Sequence, residues 1–487
     1  MPNAIAYGML LIWPLVCLLI LRRMPLERGL IWCILGGYLL LPQSAEFDLP
    51  LVPSMDKVSI PNISAFVICV FVLGKKISIW PQSRVAKVLT ALFVFGAIPT
   101  VLTNSDPILF GVIVNSAPIE FATGRIPGLG LRDLLSVFIN QVIVVLPFLM
   151  ARQYLSSDTG LRELLLAMVV GALVYSIPSL VEIRISPQIN IWVYGFFQHN
   201  FIQMIRDGGF RPIVFLPHAL WLAFFFLSAA LAAAALSRTV APLQRPRYLV
   251  AVVCLLVMLS LCKSLATMMY GIALTPIVLL TSSKFQIRLA VAFATVAVIY
   301  PILRNGGLVP IDAILEQANA YSAERGQSLG YRFNNEELLL NRADEKTWFG
   351  WGGWGRNLLR NAHTGLIETI PDGRWIIVFG TFGWVGYVAE MGLLASPLVM
   401  LGLQARKIQS AALSPYVAPI AVILAITMID MLLNATLTPL TWMCAGAILG
   451  HAERLQDGWI ADPKKTLFGD GPVLGRPAQR DVQRPTV

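Results

Sequence analysis

The chain has 487 residues, of which 56% are hydrophobic and only 13% charged, and its formal net charge is +10. An ordinary soluble domain has roughly 45–50% apolar and about 25% charged residues, so there is too little polar surface here for a soluble protein. Disordered, collagenous and disulfide-framework classes fall to the same arithmetic, and the charge reads as basic cytoplasmic loops rather than as a nucleic-acid surface.

Apolar runs predict spans near 4–21, 29–42, 63–80, 85–103, 134–151, 161–179, 212–236, 248–263, 264–282, 286–303, 375–403, 415–434 and 436–452. The stretch 248–282 as one helix would be about 52 Å long, too long for a hydrocarbon core of about 30 Å. Lys263 would also sit in its middle, so a break is expected at Leu261-Cys262-Lys263-Ser264. The expected fold is all-α: a polytopic transmembrane bundle of about 12–13 spans. The first membrane part covers 1–303, a long loop 304–374, the last spans 375–452, and a disordered cytoplasmic tail 453–487.

Basic residues orient the bundle. One face and the tail collect 22 Lys and Arg, and the other face 14, eight of them in 304–374. Short loops obey the positive-inside rule while long loops translocate regardless. The C-terminus is therefore expected inside, and the N-terminus and the 304–374 loop outside. No basic n-region precedes the first apolar run, so no cleavable signal is read. The six cysteines lie in apolar runs without a Cys-x-x-Cys pair and read as small buried hydrophobes.

Two outward segments carry the candidate chemistry. The first ends Ile205-Arg206-Asp207-Gly208-Gly209-Phe210-Arg211-Pro212 and leads into a span with His218. Arg206 and Arg211 suit one anion, although snorkelling at the interface explains such arginines equally well. A helix from Pro212 would put His218 about 9 Å below the surface. Lys263, Asp430, His218 and Arg211 are expected at similar outward depth, and Glu390 near mid-membrane.

The second is 304–374, far longer than a connector needs. Leu329 to Arg342 reads as an amphipathic helix with Leu338 and Leu339 inward and Arg332, Asn335 and Glu336 elsewhere on its surface. Trp348-Phe349-Gly350-Trp351-Gly352-Gly353-Trp354-Gly355-Arg356-Asn357 follows. Its Gly run lacks the Lys-Ser/Thr of a P-loop, and tight turns explain it better. Trp351 and Trp354 suit a pyranose face, with an interfacial aromatic belt as the alternative. The loop holds eight basic and nine acidic residues, so it is not a polybasic lipid patch. Arginines among carboxylates and tryptophans suit a phosphorylated sugar, because guanidinium groups clamp phosphate in a bidentate way. At Asp372-Gly373-Arg374-Trp375 the loop returns to the membrane, Trp375 anchoring it and Asp372 and Arg374 facing the outer side. Asp372 is either a turn residue or a base for an acceptor hydroxyl. Four scattered histidines give no metal spacing, and neither metal nor cofactor is expected.

The order of these features resembles the O-antigen ligase and O-antigen polymerase superfamily, especially its exopolysaccharide polymerase branch. The resemblance covers roughly 190–450. It rests on Arg211-Pro212 before His218, Cys262-Lys263-Ser264 at a broken span, Tyr331 to Glu336, Phe349 to Asn357, Asp372-Gly373-Arg374-Trp375, and Phe379-Gly380 to Gly386. It implies a glycosyltransferase-C-like fold in a bacterial inner membrane with the long loop in the periplasm. The implied activity is metal-independent, inverting transfer of glycan from undecaprenyl pyrophosphate to a sugar hydroxyl of another lipid-linked repeat.

Implied partners are that lipid-linked oligosaccharide and the bilayer, with a flippase and a chain-length regulator, and no nucleic acid. Carried onto this chain, Arg211 and Arg332 hold pyrophosphate and Asp372 is the base. Arg206, His218, Lys263, Arg356, Arg374, His363, Trp351 and Trp354 bind substrate. The ligase branch has a histidine followed by Asn where Asp372-Gly373 stands here, and His363 lies nine residues earlier, so a ligase is disfavoured. A flippase for the same lipid is the remaining alternative; the halves look unlike and polar residues concentrate outside rather than at midplane.

Overall fold

The computed structural model describes residues 1–48, 52–114, 120–409 and 413–458. Its helices are α1 (Ala4–Arg23), α2 (Leu26–Leu40), α3 (Ser59–Val67) extended by a π turn (Ile68–Val72), α4 (Arg84–Phe95), α5 (Ala97–Leu102), α6 (Leu131–Tyr154), α7 (Asp158–Ile185), α8 (Ile189–Tyr194) and α9 (Ala219–Ser237). There follow α10 (Arg245–Leu261), α11 (Leu265–Leu280), α12 (Ser283–Asn305), α13 (Ile311–Tyr321), α14 (Ala323–Asp344), α15 (Arg374–Lys407), α16 (Val417–Asp430) and α17 (Pro439–Gln456). Among the described residues seven helical stretches are long and apolar enough to cross a membrane, and three shorter ones are apolar too. The protein is thus a predominantly helical, polytopic membrane protein.

The pattern of α1 shows why. Ala6, Leu10, Trp13, Cys17 and Leu21 recur at helical spacing and are buried, while Leu11, Leu15 and Leu19 on the other face are exposed. In water that outer face would be unfavourable; in lipid it is not. Asn3 caps the start by accepting from the Ala6 N–H, and Arg22 and Arg23 complement the dipole at the end. Helix α9 lies at the centre and is buried at nearly every position, with small residues from Ala229 to Ala235 letting α7, α10, α11 and α16 approach. Helices α6 and α17 touch through Gly446 and Gly450, where a Cβ would collide with the carbonyls of Phe148 and Arg152. The same seam is closed by Arg152 Nη1 donating to Glu453 Oε2 at 3.0 Å.

Several expectations are corrected. Two small hairpins accompany the expected helical bundle: β1 (Ile108–Val114) and β2 (Glu120–Ile126) pair antiparallel between α5 and α6, and β3 (Ile205–Arg206) and β4 (Gly209–Phe210) form the second. The span expected over 63–80 ends as a helix at Val72. The one expected over 212–236 begins only at Ala219: Val214 has a φ of 52° and His218 is extended as the N-cap, so the backbone before Ala219 is not helical. Residues 453–456 complete α17, and the remainder of the expected tail, from 459, lies outside the described residues.

The break expected at Lys263 does part α10 from α11, and Lys263 adopts the left-handed region at φ 53°. The 304–374 loop folds as the α13–α14 pair followed by turns. In α14 Leu339 is buried but Leu338 is exposed, and Asn335 and Glu336, expected on the surface, are buried. Glu336 accepts from Arg304 Nε (2.8 Å), Tyr300 OH (3.1 Å) and Trp375 Nε1 (3.1 Å), tying α14 to both helices that bound the loop.

Helix α15, expected as one span, is broken at Gly383 (φ 63°, ψ −162°). The freed backbone groups are satisfied by the loop. Trp384 and Val385 N–H donate to the Thr347 and Trp348 carbonyls, and Trp351 and Gly352 N–H donate to those of Gly380 and Thr381. The tryptophan–glycine run is therefore a backbone wedge inserted at the break.

Candidate functional site

Residues 211–218 are irregular backbone before α9, and the side chains of Glu182, Tyr175, Lys57 and Gln198 hold them. Glu182, fully buried on α7, accepts from the Ile213 and Val214 N–H at 2.7 and 2.8 Å and from Ile189 N–H at 3.1 Å. Tyr175 OH accepts from Phe215 N–H, Lys57 Nζ donates to the Phe215 carbonyl, and Gln198 Nε2 donates to the Val214 carbonyl. Such backbone is tolerated within a membrane domain where it is buried in protein or lines a cavity.

This frame aims Arg211 into the bundle. Arg211 is only 3% exposed; its Nε donates to the Cys262 carbonyl at 3.2 Å, while its Nη2 is buried without a hydrogen-bond partner among the described residues. It makes no ion pair with a carboxylate there. Burial, then the charges of Arg206, Arg332 and Arg325, push its guanidinium down to about 10, so it stays charged at neutral pH but strongly repelled. A buried, repelled, incompletely bonded guanidinium is a site that a strong anion would satisfy.

The neighbours converge from three elements. Arg206 stands at the tip of the β3–β4 hairpin, whose Asp207-Gly208 turn has φ 48° and 69°, the two positive values a tight two-residue hairpin turn needs. Lys263 Nζ donates to the Arg206 and Asp207 carbonyls at 2.7 and 3.1 Å, holding that tip. Helix α14 contributes Glu324, Arg325 and Arg332. Arg206 Nε lies 3.6 Å from Glu324 Oε1, and Arg325 Nη2 3.4 Å from Asp207 Oδ2. Arg332 Nε lies 3.5 Å from Asp372 Oδ2, and its Nη1 donates to Asn434 Oδ1 at 3.1 Å. Asn434 Nδ2 in turn donates to Asp430 Oδ1 at 3.0 Å, and Thr436 OH to Asp430 Oδ2 at 2.7 Å.

His218 is the N-cap of α9 rather than a residue inside it. Its Nδ1 accepts from Leu220 N–H at 3.0 Å, which leaves the ring proton on Nε2. Burial, then Arg211, His199, Arg332 and Arg206, push its imidazole down to about 2, so it is a neutral N–H donor. Burial raises the Asp372 carboxyl and Arg332 partly offsets this. A carboxylate with raised proton affinity is suited to accepting a proton.

No protein-family model matches this chain, and no curated protein matches it significantly.

Six sequence-derived candidates come together here: Arg211, Arg206, Lys263, His218, Arg332 and Asp372. The side chains of the other five are either engaged by other protein groups or exposed. Arg356 is buried and donates to the carbonyls of Trp351, Pro127 and Asp106. Arg374 pairs with Glu390. Trp351 donates to the Arg342 carbonyl, and its ring is covered by the Arg342 guanidinium at 3.4 Å. Trp354 and His363 are exposed in the loop's second half, where its contacts run to Thr100, Asn104 and Pro127. Sequence reasoning missed Arg325, Asn434 and Glu182. The first two had no motif to mark them. Glu182, a lone carboxylate late in an apolar run, was the available signal. Among the described residues no three His, Cys, Asp or Glu side chains are grouped to hold a metal ion.

Proposed function

We propose that this protein is a membrane glycosyltransferase that lengthens a polysaccharide at the outward face of a bacterial inner membrane. It takes glycan from a polyprenyl pyrophosphate and transfers it to a sugar hydroxyl of another lipid-linked repeat. The observation that carries this reading is Arg211: a buried guanidinium with an unused N–H, ringed by Arg206, Arg325 and Arg332. Guanidinium groups close enough to act on one another's charge suit a diphosphate, whose oxygens can engage guanidinium forks in a bidentate way.

In the reaction, the bond from the anomeric carbon to the diphosphate oxygen breaks and its electron pair leaves with the diphosphate. The acceptor hydroxyl oxygen forms the new bond from the opposite face, which inverts the anomeric centre. Its proton passes to the Asp372 carboxylate. Arg211 and Arg332 stabilise the charge that develops on the leaving diphosphate, and Lys263 keeps the Arg206 hairpin in place. A diphosphate is already a good leaving group, so stabilisation and orientation are the protein's main contribution.

The test is elongation by the purified protein in detergent, given polyprenyl-pyrophosphate repeats without ATP. Longer chains are expected. Arg211→Ala and Arg332→Ala should each lose roughly 10²–10³-fold in rate while the protein still inserts and folds. Normal chain length in both variants would remove the reading; redistribution of substrate across a bilayer without elongation would indicate a transporter.

A further inference from the structure

Three arginines of the site hold carboxylates differently from the arginines elsewhere. The separations are 3.6 Å (Arg206–Glu324), 3.4 Å (Arg325–Asp207) and 3.5 Å (Arg332–Asp372). Of the seven other ion pairs among the described residues, six close to 2.6–3.0 Å. The seventh, Arg162–Glu163 at 3.4 Å, joins chain neighbours whose carboxylate is already taken by Arg28. The carboxylates at the site are also accessible, with side-chain exposures of 65% for Glu324, 55% for Asp207 and 35% for Asp372. Arg206 and Asp207 are consecutive, as are Glu324 and Arg325, so the hairpin tip and the start of α14 cross-pair as two short dipeptides. Arg211, buried and bonded to the Cys262 carbonyl, has no carboxylate partner among the described residues.

Without negative charge nearby, four guanidinium groups this close would push one another apart. Loose, exposed carboxylates at long range provide that charge while costing little to remove, since exposed ion pairs are weak. A diphosphate offers more charge and can engage two forks at once.

We propose that Arg325 is a further diphosphate-binding residue and that Glu324, Asp207 and Asp372 are displaceable stand-ins, which keep the arginines in position and yield their places to the phosphate oxygens. This rests on the reading of the site given above. It adds an order of events: when Arg332 turns to the diphosphate, Asp372 loses its cation and becomes free to take the acceptor's proton, so the base is released only when the donor is bound.

Binding of inorganic pyrophosphate to the purified full-length protein in detergent, followed by calorimetry at low salt, tests this. The double variant Glu324→Gln with Asp207→Asn should bind roughly threefold more tightly or better, because two competitors are gone. Arg325→Ala should bind roughly tenfold more weakly. Arg342→Ala, outside the cluster, should match the wild type. A merely structural role for the carboxylates predicts unchanged or weaker binding in the double variant. If the wild type binds, Arg211→Ala abolishes binding, and either the double variant fails to tighten or Arg325→Ala has no effect, the inference is overturned while the site stands. If the wild type does not bind, or Arg211→Ala binds normally, the proposed anion site falls and the inference with it.

Discussion

Arg374 and Glu390 lie sixteen residues apart on α15 and meet in two hydrogen bonds of 2.6 Å each. In a straight helix their backbones would be about 24 Å apart. The break at Gly383 folds the first turns of α15 back so that the pair can close around a carboxylate only 2% exposed. Removing one partner leaves the other charge uncompensated. Arg374→Ala is expected to lower stability by roughly 3 kcal/mol, read as a lower Tm in detergent. The double change Arg374→Met with Glu390→Leu should recover part of it.

Gly383 itself is predicted to tolerate no side chain. Its φ of 63° is one that L residues avoid, and a Cβ would strike the Trp348 backbone. Gly383→Ala should destabilise by at least about 1–3 kcal/mol. It should also loosen the Thr347–Gly352 wedge, seen as faster limited proteolysis within 345–373. Unchanged cleavage would show that the wedge does not depend on the break.

Asp372→Asn should keep or tighten pyrophosphate binding and lose roughly 10²–10⁴-fold in elongation rate, the range of a general base. The rate of the wild type should fall as pH drops through the Asp372 pKa, because only the carboxylate accepts a proton. Burial holds that limb above the value of an exposed aspartate, and Arg332 holds it lower than burial alone would. In the residual kcat/KM of Arg332→Gln, which reports the donor-free enzyme, the limb should therefore move to higher pH. Movement to lower pH would contradict the assignment.

Glu182 is predicted to matter for Arg211 without touching it. Glu182→Ala leaves the Ile189, Ile213 and Val214 N–H groups unpaired in the interior, a loss of at least about 2 kcal/mol. Pyrophosphate affinity should weaken as the Arg211 segment loosens. Glu182→Gln, whose remaining oxygen can still accept from Ile213 and Val214, should fall between the two.

The membrane helices were legible because lipid imposes long apolar runs, and the break at Lys263 because a charge there is costly. The small hairpin went unread, although its Asp207-Gly208 pair is a hairpin-turn signal. His218 was misplaced because Pro212 does not start a helix: irregular backbone runs on to His218, which caps α9. The fates of Arg356, Arg374 and Trp351 were not legible. Their partners are backbone carbonyls and a carboxylate that only the fold brings near, and a sequence does not distinguish an arginine held by Pro127 and Asp106 from one waiting for phosphate. Arg325 was hidden for the opposite reason: its partner Asp207 lies on a distant hairpin.

Sidedness tests the central claim most directly, since a polyprenyl-linked donor, as proposed, would reach the Arg211 cluster from outside the cell membrane. Leu366, exposed in the 304–374 loop, and Leu243, exposed between α9 and α10, offer one reporter position on each expected face. In a Cys254→Ala background, Leu366→Cys should react with a membrane-impermeant thiol reagent in intact cells, and Leu243→Cys only after permeabilisation. The reverse pattern would put the arginines on the cytoplasmic side and contradict the account.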